Sequence, residues 1–564
     1  MHLHSAISSR RTLCSRFAPI FALAAVPTAA QTSFAPDLAN WATLGGQPCG
    51  IGAWEPPYDH KVHTFPSLPI PSPIGGKFNA VHMSVIASGP HRGKVLVWDR
   101  AFDTAAAAKQ RWSIVDPRPV GDATFLNFEL AMPNGEGDLF CAGHSWTNTG
   151  RLFVAGGTTV YPPADADQGI EDGSFGFVGG KLCYEYDPLL GPAGTWVRQP
   201  DLAETRWYPT VVHTGNEELL VVGGVGDTDG HFKNSYEVFD SVQYAWKLYA
   251  GSQLLDGPLI EAAKLDYYPR ASWLSDGRLF LSGMDACSAR LDHAAAPGVW
   301  ETMGCGTNWY FDYNSSVYLG NDVVLRVGGE LELDSISHGY LSLAQTCPAG
   351  ASGSAWTWST VTEMQVRRTQ LNTVLLPDGS VLALGGVRAL PGHVTDYVRM
   401  PELLPSPGGP WLPMAEAASA RPYHATAVLL PSGKVLSGGG DDRHYDYQVF
   451  QPPYLTCGAP RPVITSAPVA IGYATGAAPA QYTVEIAAGL AAPISELVLM
   501  APGSVTHHSD SNQRRVVLPL ISASATSATF TGPPSSNHAP AGSYMLFALS
   551  SQGVPSHASW VRLK

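Results

Sequence analysis

The sequence of 564 residues predicts an all-β protein, and three features indicate this class. Glycine and proline, at 58 and 46 residues, exceed average usage, which is typical of a chain with many tight turns. Hydrophobic residues still make up 45% of the chain, with 15 Trp, 22 Tyr and 19 Phe, so it can bury enough apolar surface to fold. The apolar runs are short, about four to six residues, which is the length of strands rather than helices.

The charge balance excludes some classes of partner. The chain has 34 basic and 47 acidic residues, a net charge of −13, and charged residues are only 14% of the total. No basic stripe is present, which argues against a nucleic-acid partner. No apolar run reaches eighteen residues, so we expect no membrane-spanning helix.

The N-terminus has the layout of a secretory signal peptide. Arginines precede an apolar run at 17–26, which is too short to cross a bilayer, and small residues follow just before Gln31. We therefore predict a signal peptide at 1–30 and a secreted, extracellular protein, with a disordered N-terminal tail as the alternative. The proline-rich segment 31–75 is expected to be irregular.

Cysteine usage follows from the predicted export. Cys14 would leave with the signal, and seven cysteines would remain: Cys49, Cys141, Cys183, Cys287, Cys305, Cys347 and Cys457. An oxidising compartment favours pairing, and an odd count leaves at least one cysteine unpaired or chemically unusual.

A short β-rich motif recurs along the chain. It reads RGKVLVW at 92–98, GRLFVAGG at 150–157, EELLVVGG at 217–224, GRLFLSGM at 277–284, NDVVLRVGG at 321–329, GSVLALGG at 379–386 and GKVLSGGG at 433–440. The spacing of about 45 to 67 residues brackets that of kelch repeats. We predict a seven-bladed kelch-type β-propeller over 76–456, with six blades and an irregular start as the alternative, because the first unit lacks the glycine pair.

Tryptophans recur with the same period and are expected to pack between adjacent sheets. They are Trp112, Trp196, Trp246, Trp300, either Trp356 or Trp358, and Trp411. The pattern ends near Cys457, after which short alternating strands such as QYTVEIA predict an immunoglobulin-like β-sandwich at 457–564.

Four short segments carry residues suited to chemistry: FCAGHS with Cys141, RWYP with Tyr208, RPYH with Tyr423 and His424, and SVTHHSDSNQRR with His507 and His508. The three propeller segments precede their glycine pairs, so we expect these residues near the propeller axis, where a loop from the tail domain could reach them. Neighbouring residues on a regular strand point to opposite faces, so Tyr423 and His424 can share one site only at a bend, a bulge or a strand entrance. Imidazoles and phenols together would suit copper or iron.

This set of motifs, in this order, resembles the copper radical oxidases, the galactose oxidase and glyoxal oxidase family. The resemblance implies one copper ion held by Tyr208, Tyr423, His424 and His507, with His508 as the alternative to His507. It also implies that Cys141 and Tyr208 form a thioether that carries a radical, and that Tyr423 is the general base. Removing Cys141 from the count leaves six cysteines, enough for three disulfides.

The implied reaction is oxidation of a small aldehyde or primary alcohol by O2, with release of H2O2. Galactose oxidase shields its radical tyrosine with a tryptophan, but this chain has Gly226 at that place, and Trp207 or His231 are the candidate substitutes. The chain also lacks room for the sugar-binding N-terminal domain of galactose oxidase. Both differences from galactose oxidase favour the glyoxal-oxidase-like branch of the family.

Two alternatives remain: a galactose-type sugar alcohol oxidase, and a non-catalytic propeller that binds cell-wall material or serves in adhesion. Other expected partners are enzymes that consume peroxide. Packing is the default interpretation of the remaining residues: His144 as structural, Tyr267, Tyr268 and Arg270 as packing at a blade entrance, and Arg514 and Arg515 as braces of the His507 loop.

Overall fold

A computed structural model describes residues 50–60, 78–99, 109–118, 124–133, 135–161, 177–226, 233, 235–240, 243–249, 267–282, 288–295, 298–302, 313–332, 338–351, 356–388, 396–441 and 444–564, and short strands at 43–44 and 47–48. The predicted signal peptide, most of 31–75, and His231 lie outside these residues. The fold is all-β, as predicted, and within the described ranges it has one short helix. None of the described helical residues forms a helix long and apolar enough to cross a membrane.

Seven small antiparallel sheets follow one another along the described chain; we number them sheets 1 to 7. Sheet 1 contains β5 (His82–Val85), β6 (Val95–Trp98), β7 (Lys109–Val115) and β8 (Phe125–Ala131). Sheet 2 contains β9 (Asp138–Trp146), β10 (Leu152–Val160), β11 (Val178–Gly179), β12 (Cys183–Asp187) and β13 (Thr195–Gln199). Sheet 3 contains β14 (Thr210–His213), β15 (Leu219–Val222), β16 (Tyr236–Asp240) and β17 (Ala245–Tyr249). Sheet 4 contains β18 (Ala271–Trp273), β19 (Leu279–Leu281), β20 (Ala289–Asp292) and β21 (Val299–Thr302).

The later sheets repeat the plan. Sheet 5 contains β22 (Ser315–Gly320), β23 (Val323–Val327), β26 (Ala344–Pro348) and β27 (Ser359–Thr360), with a hairpin of β24 (Glu330–Glu332) and β25 (His338–Tyr340). Sheet 6 contains β28 (Asn372–Leu375), β29 (Val381–Leu384), β30 (Glu402–Leu404) and β31 (Leu412–Pro413). Sheet 7 contains β32 (Ala425–Leu429), β33 (Val435–Gly439) and β34 (Asp446–Gln451). The N-terminal strands are β1 (Thr43–Leu44), β2 (Gln47–Pro48), β3 (Ala53–Trp54) and β4 (Tyr58–Asp59), and the last two pair with β34.

The inner strands of these sheets are buried on both faces. All residues of β28 and β29 are buried, since each sheet packs between its neighbours and their side chains form shared hydrophobic clusters. The first strands of neighbouring sheets contact one another: β9 with β14, β14 with β18, β22 with β28, β28 with β32, and β32 with β5. The entrances of these first strands are thus brought to one region of the molecule.

Glycine pairs permit the close approach of neighbouring sheets. Gly156 has φ of +80°, and a Cβ there would lie 2.6 Å from the carbonyl oxygen of Arg206 in the next sheet. Gly385 has φ of +71°, and a Cβ there would lie 2.7 Å from the carbonyl oxygen of Arg421 in the next sheet. Only glycine adopts such a backbone without strain and leaves room for the neighbouring chain.

Buried arginine–carboxylate pairs anchor three of the strand entrances. The pairs are Arg206 with Glu237 at 3.0 Å, Arg368 with Glu402 at 2.7 Å, and Arg421 with Asp446 at 2.9 Å. Removing one partner of such a pair leaves a buried charge unpaired and lowers the free energy of unfolding by about 3–5 kcal/mol. Each arginine lies two or three residues before a residue of the site described below.

After α1 (Pro453–Thr456), the tail folds into two sheets that share one hydrophobic core. The first contains β35 (Ile464–Ser466), β37 (Gln481–Ile486), β41 (Leu520–Ala523) and β42 (Ser527–Thr531). The second contains β36 (Ala470–Ile471), β38 (Glu496–Met500), β40 (Arg515–Val517), β43 (Gly542–Leu549) and β44 (Ser559–Leu563). Along the second half of β37, buried and exposed residues alternate, because this sheet has one face in water.

One strand of the tail leaves both sheets. β39 (Ser504–Thr506) pairs antiparallel with β5 and completes sheet 1. It also contacts β9 of sheet 2 and β32 of sheet 7. The tail therefore contributes a strand to the region where the first strands meet.

The expectation of three disulfides is wrong. Cys183 and Cys347 are free thiols, fully buried in β12 and β26, where each packs in a separate hydrophobic cluster. Burial raises the pKa of both thiols. Cys457 is disulfide-bonded, and its partner lies outside the described residues.

Candidate active site

Six residues in or just before the first strands share a left-handed backbone. They are Cys141, Tyr208, Tyr268, Tyr313, Gln370 and His424, with φ between 44° and 64°. Such a conformation is uncommon for residues other than glycine, and it persists only where the surroundings enforce it. Main-chain hydrogen bonds link some of these residues across sheets: the N–H of Tyr208 donates to the carbonyl of Cys141 at 3.0 Å, and that of Tyr268 to the carbonyl of Tyr208 at 2.7 Å.

The tail supplies two histidines to the same place. His507 and His508 directly follow β39 and have φ of 46° and 66°. Their turn is closed by a pair of main-chain hydrogen bonds between Thr506 and Ser509. This confirms the expectation that a tail loop reaches the strand entrances.

The structure brings five predicted site residues together. The phenol oxygens of Tyr208 and Tyr423 lie 2.8 Å apart. The Nε2 atom of His507 is 3.8 Å from the Sγ atom of Cys141, and its ring centroid is 4.6 Å from those of both Tyr208 and His424. Tyr423 and His424 lie directly before β32, and the left-handed His424 lets both side chains face one site.

Tyr208 lies in a stack of aromatic rings. Trp207 stacks on it with centroids 4.0 Å apart and an interplanar angle of 17°, and Tyr268 stacks on it at 4.7 Å and 27°. Two nearly parallel rings at these distances must cover opposite faces of the Tyr208 ring. Phe177 in turn stacks on Trp207 at 4.7 Å, so the stack extends beyond the phenol. Trp207, one of the two candidate substitutes for the missing tryptophan, therefore covers Tyr208.

Tyr423 has different surroundings. It is only partly buried, and Tyr313 meets it edge-on with centroids 5.5 Å apart. Its neighbour His424 is held by a hydrogen bond of 2.7 Å between Nδ1 and the carboxylate of Asp441. Tyr423 therefore lies at the more open side of the site.

Burial favours the uncharged forms of five side chains of the site. It raises the pKa of the Tyr208 and Tyr423 phenols well above the ordinary value, and neighbouring phenols add to the effect. It lowers the pKa of His507 and His508 well below the ordinary value, as do nearby cationic groups. It also raises the pKa of the Cys141 thiol. A neutral imidazole is the form that binds metals, and a bound cation favours ionised phenols.

The donor atoms fit a metal ion that prefers nitrogen and oxygen ligands. The Nε2 atom of His424 is buried without a hydrogen-bond partner, while its Nδ1 bonds Asp441, as is usual for a metal-binding histidine. His507 is oriented likewise by a bond between Nδ1 and the hydroxyl of Thr506 at 2.6 Å. Within the described ranges no three His, Cys, Asp or Glu side chains form a metal site; the donors here are two imidazoles and two phenols.

The remaining predicted residues divide into three groups. Both ring nitrogens of His508 are buried without a partner, and its ring centroid is 5.7 Å from that of Tyr423. His144 makes hydrogen bonds behind the site, as a structural histidine would. Arg514 and Arg515 donate to carbonyl oxygens of sheets 4 and 6 and brace the tail loop.

The sequence predicts a packing role for Tyr268, but in the structure its ring stacks on both Tyr208 and His507. Tyr313, Gln370 and His82 were not predicted at all. Tyr313 and Gln370 occupy the same phase of their repeats as Tyr208, and an alignment of the units on that phase could have found them. His82 has no such signal, because its role depends on the pairing of β5 with β39.

Comparison with known proteins identifies the family. The galactose oxidase-like early set domain matches residues 461–563. Galactose oxidase of Gibberella zeae is 26% identical over 91% of this chain and 71% of its own length. The aldehyde oxidase GLOX1 of Arabidopsis thaliana is 31% identical over 74% of this chain and 71% of its own length. This chain belongs to the copper radical oxidase family.

The fold of this copper radical oxidase is similar to that of a solved relative. A fungal alcohol oxidase, solved in complex with copper, superposes with a TM-score of 0.71 over 91% of this chain and all of its own, at 22% identity. The relatives are oxidases, and this chain is an oxidase too. The alternative of a non-catalytic adhesion module is therefore set aside.

Proposed function

We propose that this oxidase converts small aldehydes or simple primary alcohols with O2 and releases H2O2. The observation that carries the proposal is the pair of phenol oxygens of Tyr208 and Tyr423, 2.8 Å apart, with Cys141, His424 and His507 around them. Such a cluster of two phenols, two imidazoles and a thiol suits a one-electron metal and a tyrosine radical.

One copper ion would be held by Tyr208, Tyr423, His424 and His507, and when bound it supplies one of the two electron-accepting centres that alcohol oxidation needs. His507 is preferred to His508, since its ring contacts those of Tyr208, Tyr423 and His424, whereas His508 contacts only Tyr423 among these.

Tyr208 would supply the second electron-accepting centre. Its ring carbon would be joined to the sulfur of Cys141, and the thioether would lower the oxidation potential of the phenol and spread the radical. The Tyr208 radical would abstract a hydrogen atom from the substrate carbon. The stacked rings of Trp207 and Tyr268 exclude water from both faces of this phenol.

Tyr423 would act as the general base. As a phenolate it would accept the hydroxyl proton of the substrate, which is a primary alcohol or the hydrate of an aldehyde. Its partial exposure would let the substrate reach it. The substrate would thereby lose one proton to Tyr423, one hydrogen atom to Tyr208 and one further electron to the copper centre. These two electrons and two protons would then pass to O2, which is released as H2O2.

The finer architecture belongs to the same proposal. The seven sheets would be the blades of a kelch-type β-propeller at 76–456, closed by pairing of β3 and β4 with β34, and the tail an immunoglobulin-like sandwich at 457–564. The site would then lie where the propeller axis meets the tail loop. The signal-peptide pattern at 1–30 supports secretion.

The preference for small aldehydes rests on two observations. Trp207 comes from the strand entrance itself, so Tyr208 is covered without a tryptophan after the glycine pair. An aldehyde oxidase is among the relatives, at 31% identity. A sugar alcohol oxidase is the second candidate, because galactose oxidase matches a larger part of the chain, 91%.

The thioether is the decisive test of the proposal. Copper-loaded protein is digested, and the peptides that contain Cys141 and Tyr208 are identified by mass. We expect one linked species whose mass is two hydrogens below the sum of the two peptides and which a reductant does not cleave. Separate peptides after copper and O2 treatment would overturn it.

A peroxide assay then decides the substrate. Glyoxal, methylglyoxal, simple primary alcohols and galactose are compared at equal concentration with the copper-loaded enzyme. We expect the highest kcat/KM for the small aldehydes. Peroxide from galactose and none from an aldehyde would reverse the choice between the two candidates.

A further inference from the structure

Four buried polar side chains form a continuous chain of hydrogen bonds behind Cys141. The main-chain N–H of Cys141 donates to Nε2 of His82 at 3.2 Å. His82 Nδ1 lies 3.2 Å from His144 Nε2, and His144 Nδ1 bonds the hydroxyl of Ser504. The hydroxyl of Ser504 is 2.6 Å from that of Ser84. We call His82, His144, Ser504 and Ser84 the histidine relay.

The direction of every bond in the histidine relay follows from its first member. The N–H of Cys141 can only donate, so Nε2 of His82 must accept, and a neutral His82 then carries its proton on Nδ1. His144 must therefore accept at Nε2 and donate from Nδ1 to Ser504. The Ser504 hydroxyl is left to donate to Ser84. A single tautomer of each neutral histidine satisfies the chain.

The relay is rigid and joins three parts of the fold. His82 and Ser84 are in sheet 1, His144 is in sheet 2, and Ser504 is in β39 of the tail. All four side chains are buried. The ring of Trp98 stacks on His82 with centroids 4.6 Å apart and an interplanar angle of 4°. The relay thus links the left-handed Cys141 to β39, the strand that directly precedes His507.

We propose that His82 and His144 are positioning residues that hold the Cys141 thiol for its bond to Tyr208, an inference that rests on the proposed function. Forming this bond removes the thiol hydrogen of Cys141 and one ring hydrogen of Tyr208. One C–S bond forms, and two electrons and two protons pass to O2 to give H2O2. The relay takes no part in this transfer; it fixes the backbone of Cys141 in the conformation that the bond needs.

The test measures how fast the linked Cys141–Tyr208 species appears after copper and O2 are added to purified full-length protein. His82→Phe keeps a ring against Trp98 but removes the acceptor for the Cys141 N–H, which is left unpaired in a buried site. We expect the crosslinking rate to fall about tenfold or more. His82→Gln offers an amide oxygen at nearly the same place and should restore most of the rate.

His144 gives a second, milder test. In His144→Leu the Nδ1 proton of His82 loses its acceptor, so His82 can adopt the tautomer with its proton on Nε2. In that tautomer Nε2 can no longer accept a hydrogen bond from the Cys141 N–H. Crosslinking should slow by less than in His82→Phe, and His144→Gln should recover. His60→Phe is the matched control, since His60 is also buried and stacked on an aromatic ring, Phe78 at 4.3 Å, but bonds Tyr447 and Asn127 instead.

The outcomes separate the two proposals. If the unaltered protein forms no crosslink, the proposed function fails. If it does, and folded His82→Phe crosslinks at the rate of His60→Phe, the role of the relay is wrong. Thermal unfolding and the far-UV spectrum of each variant identify any that fails to fold, and in that case the comparison of His144→Leu with His144→Gln decides.

Discussion

The two tyrosines of the site differ in surroundings although their oxygens are 2.8 Å apart. Tyr208 is covered on both faces by Trp207 and Tyr268, and its side chain is buried. Tyr423 is partly exposed, with edge-on contacts from Tyr313 and His507. The two surroundings match the two roles in the proposed function: a shielded phenol ring suits a lasting radical, and an accessible phenol suits proton transfer.

The largest effect is expected from Tyr208→Phe, which removes the phenol on the shielded side. Without a phenol neither the radical nor the proposed thioether can form, so peroxide production from glyoxal should be undetectable. The measurement is a peroxide assay on copper-loaded protein, with peptide mass analysis showing an unlinked Cys141. Substantial remaining activity would remove Tyr208 from the mechanism.

Tyr423→Phe tests the accessible side. Loss of a general base typically slows a reaction by about 10²–10⁴-fold, so kcat should fall by this amount. The crosslink between Cys141 and Tyr208 should still appear by mass. If Tyr423→Phe abolished the crosslink and Tyr208→Phe kept the activity, the two roles would have to be exchanged.

Asp441→Asn tests the support of His424 beside Tyr423. The carboxylate accepts from Nδ1 of His424 at 2.7 Å, and such partners are typically worth about 10–100-fold in metal affinity. Because Asp441 is partly exposed, with 43% of its side chain accessible, we expect about a tenfold loss. Copper titration of the apo-protein measures it, and unchanged affinity would argue against His424 as a ligand.

Trp207→Leu should give the smallest effect and bears on the shielded side alone. An aromatic stacking contact is worth about 0.5–1.5 kcal/mol, so the radical should decay about threefold to tenfold faster while copper affinity stays unchanged. Decay of the radical absorption after oxidation provides the measurement. Trp246→Leu, which alters a tryptophan packed on Phe153 and Phe239, serves as the control.

The sequence allowed the all-β class to be predicted, because glycine pairs repeat with the sheets. It also named, as candidates for one site, five residues that lie together in the structure. The stacking of Tyr268 on Tyr208 could not be predicted, since it depends on how two strand entrances approach each other. The number of cysteines likewise could not predict that Cys183 and Cys347 remain free thiols. Each faces a hydrophobic cluster between sheets, and that depends on strand orientation.

His82 illustrates a further limit. It contributes through a strand pairing with residues that are far away in the sequence, and no local motif reports such a contact. Trp207, by contrast, is adjacent to Tyr208 in the chain, so the sequence could name it as a candidate and only its stacking had to come from the structure.

The pairing of β39 with β5 has a consequence for the order of assembly. Thr506 bonds the carbonyl oxygen of Val81 across a sequence separation of 425 residues, so sheet 1 is incomplete until nearly the whole chain has been made. Contacts this distant form late, because a long loop must close before they stabilise the fold. A nascent chain would carry Cys141 and Tyr208 but not the strand that brings His507 to them. The cluster of Cys141, Tyr208 and His507 is thereby kept from forming on an unfinished protein.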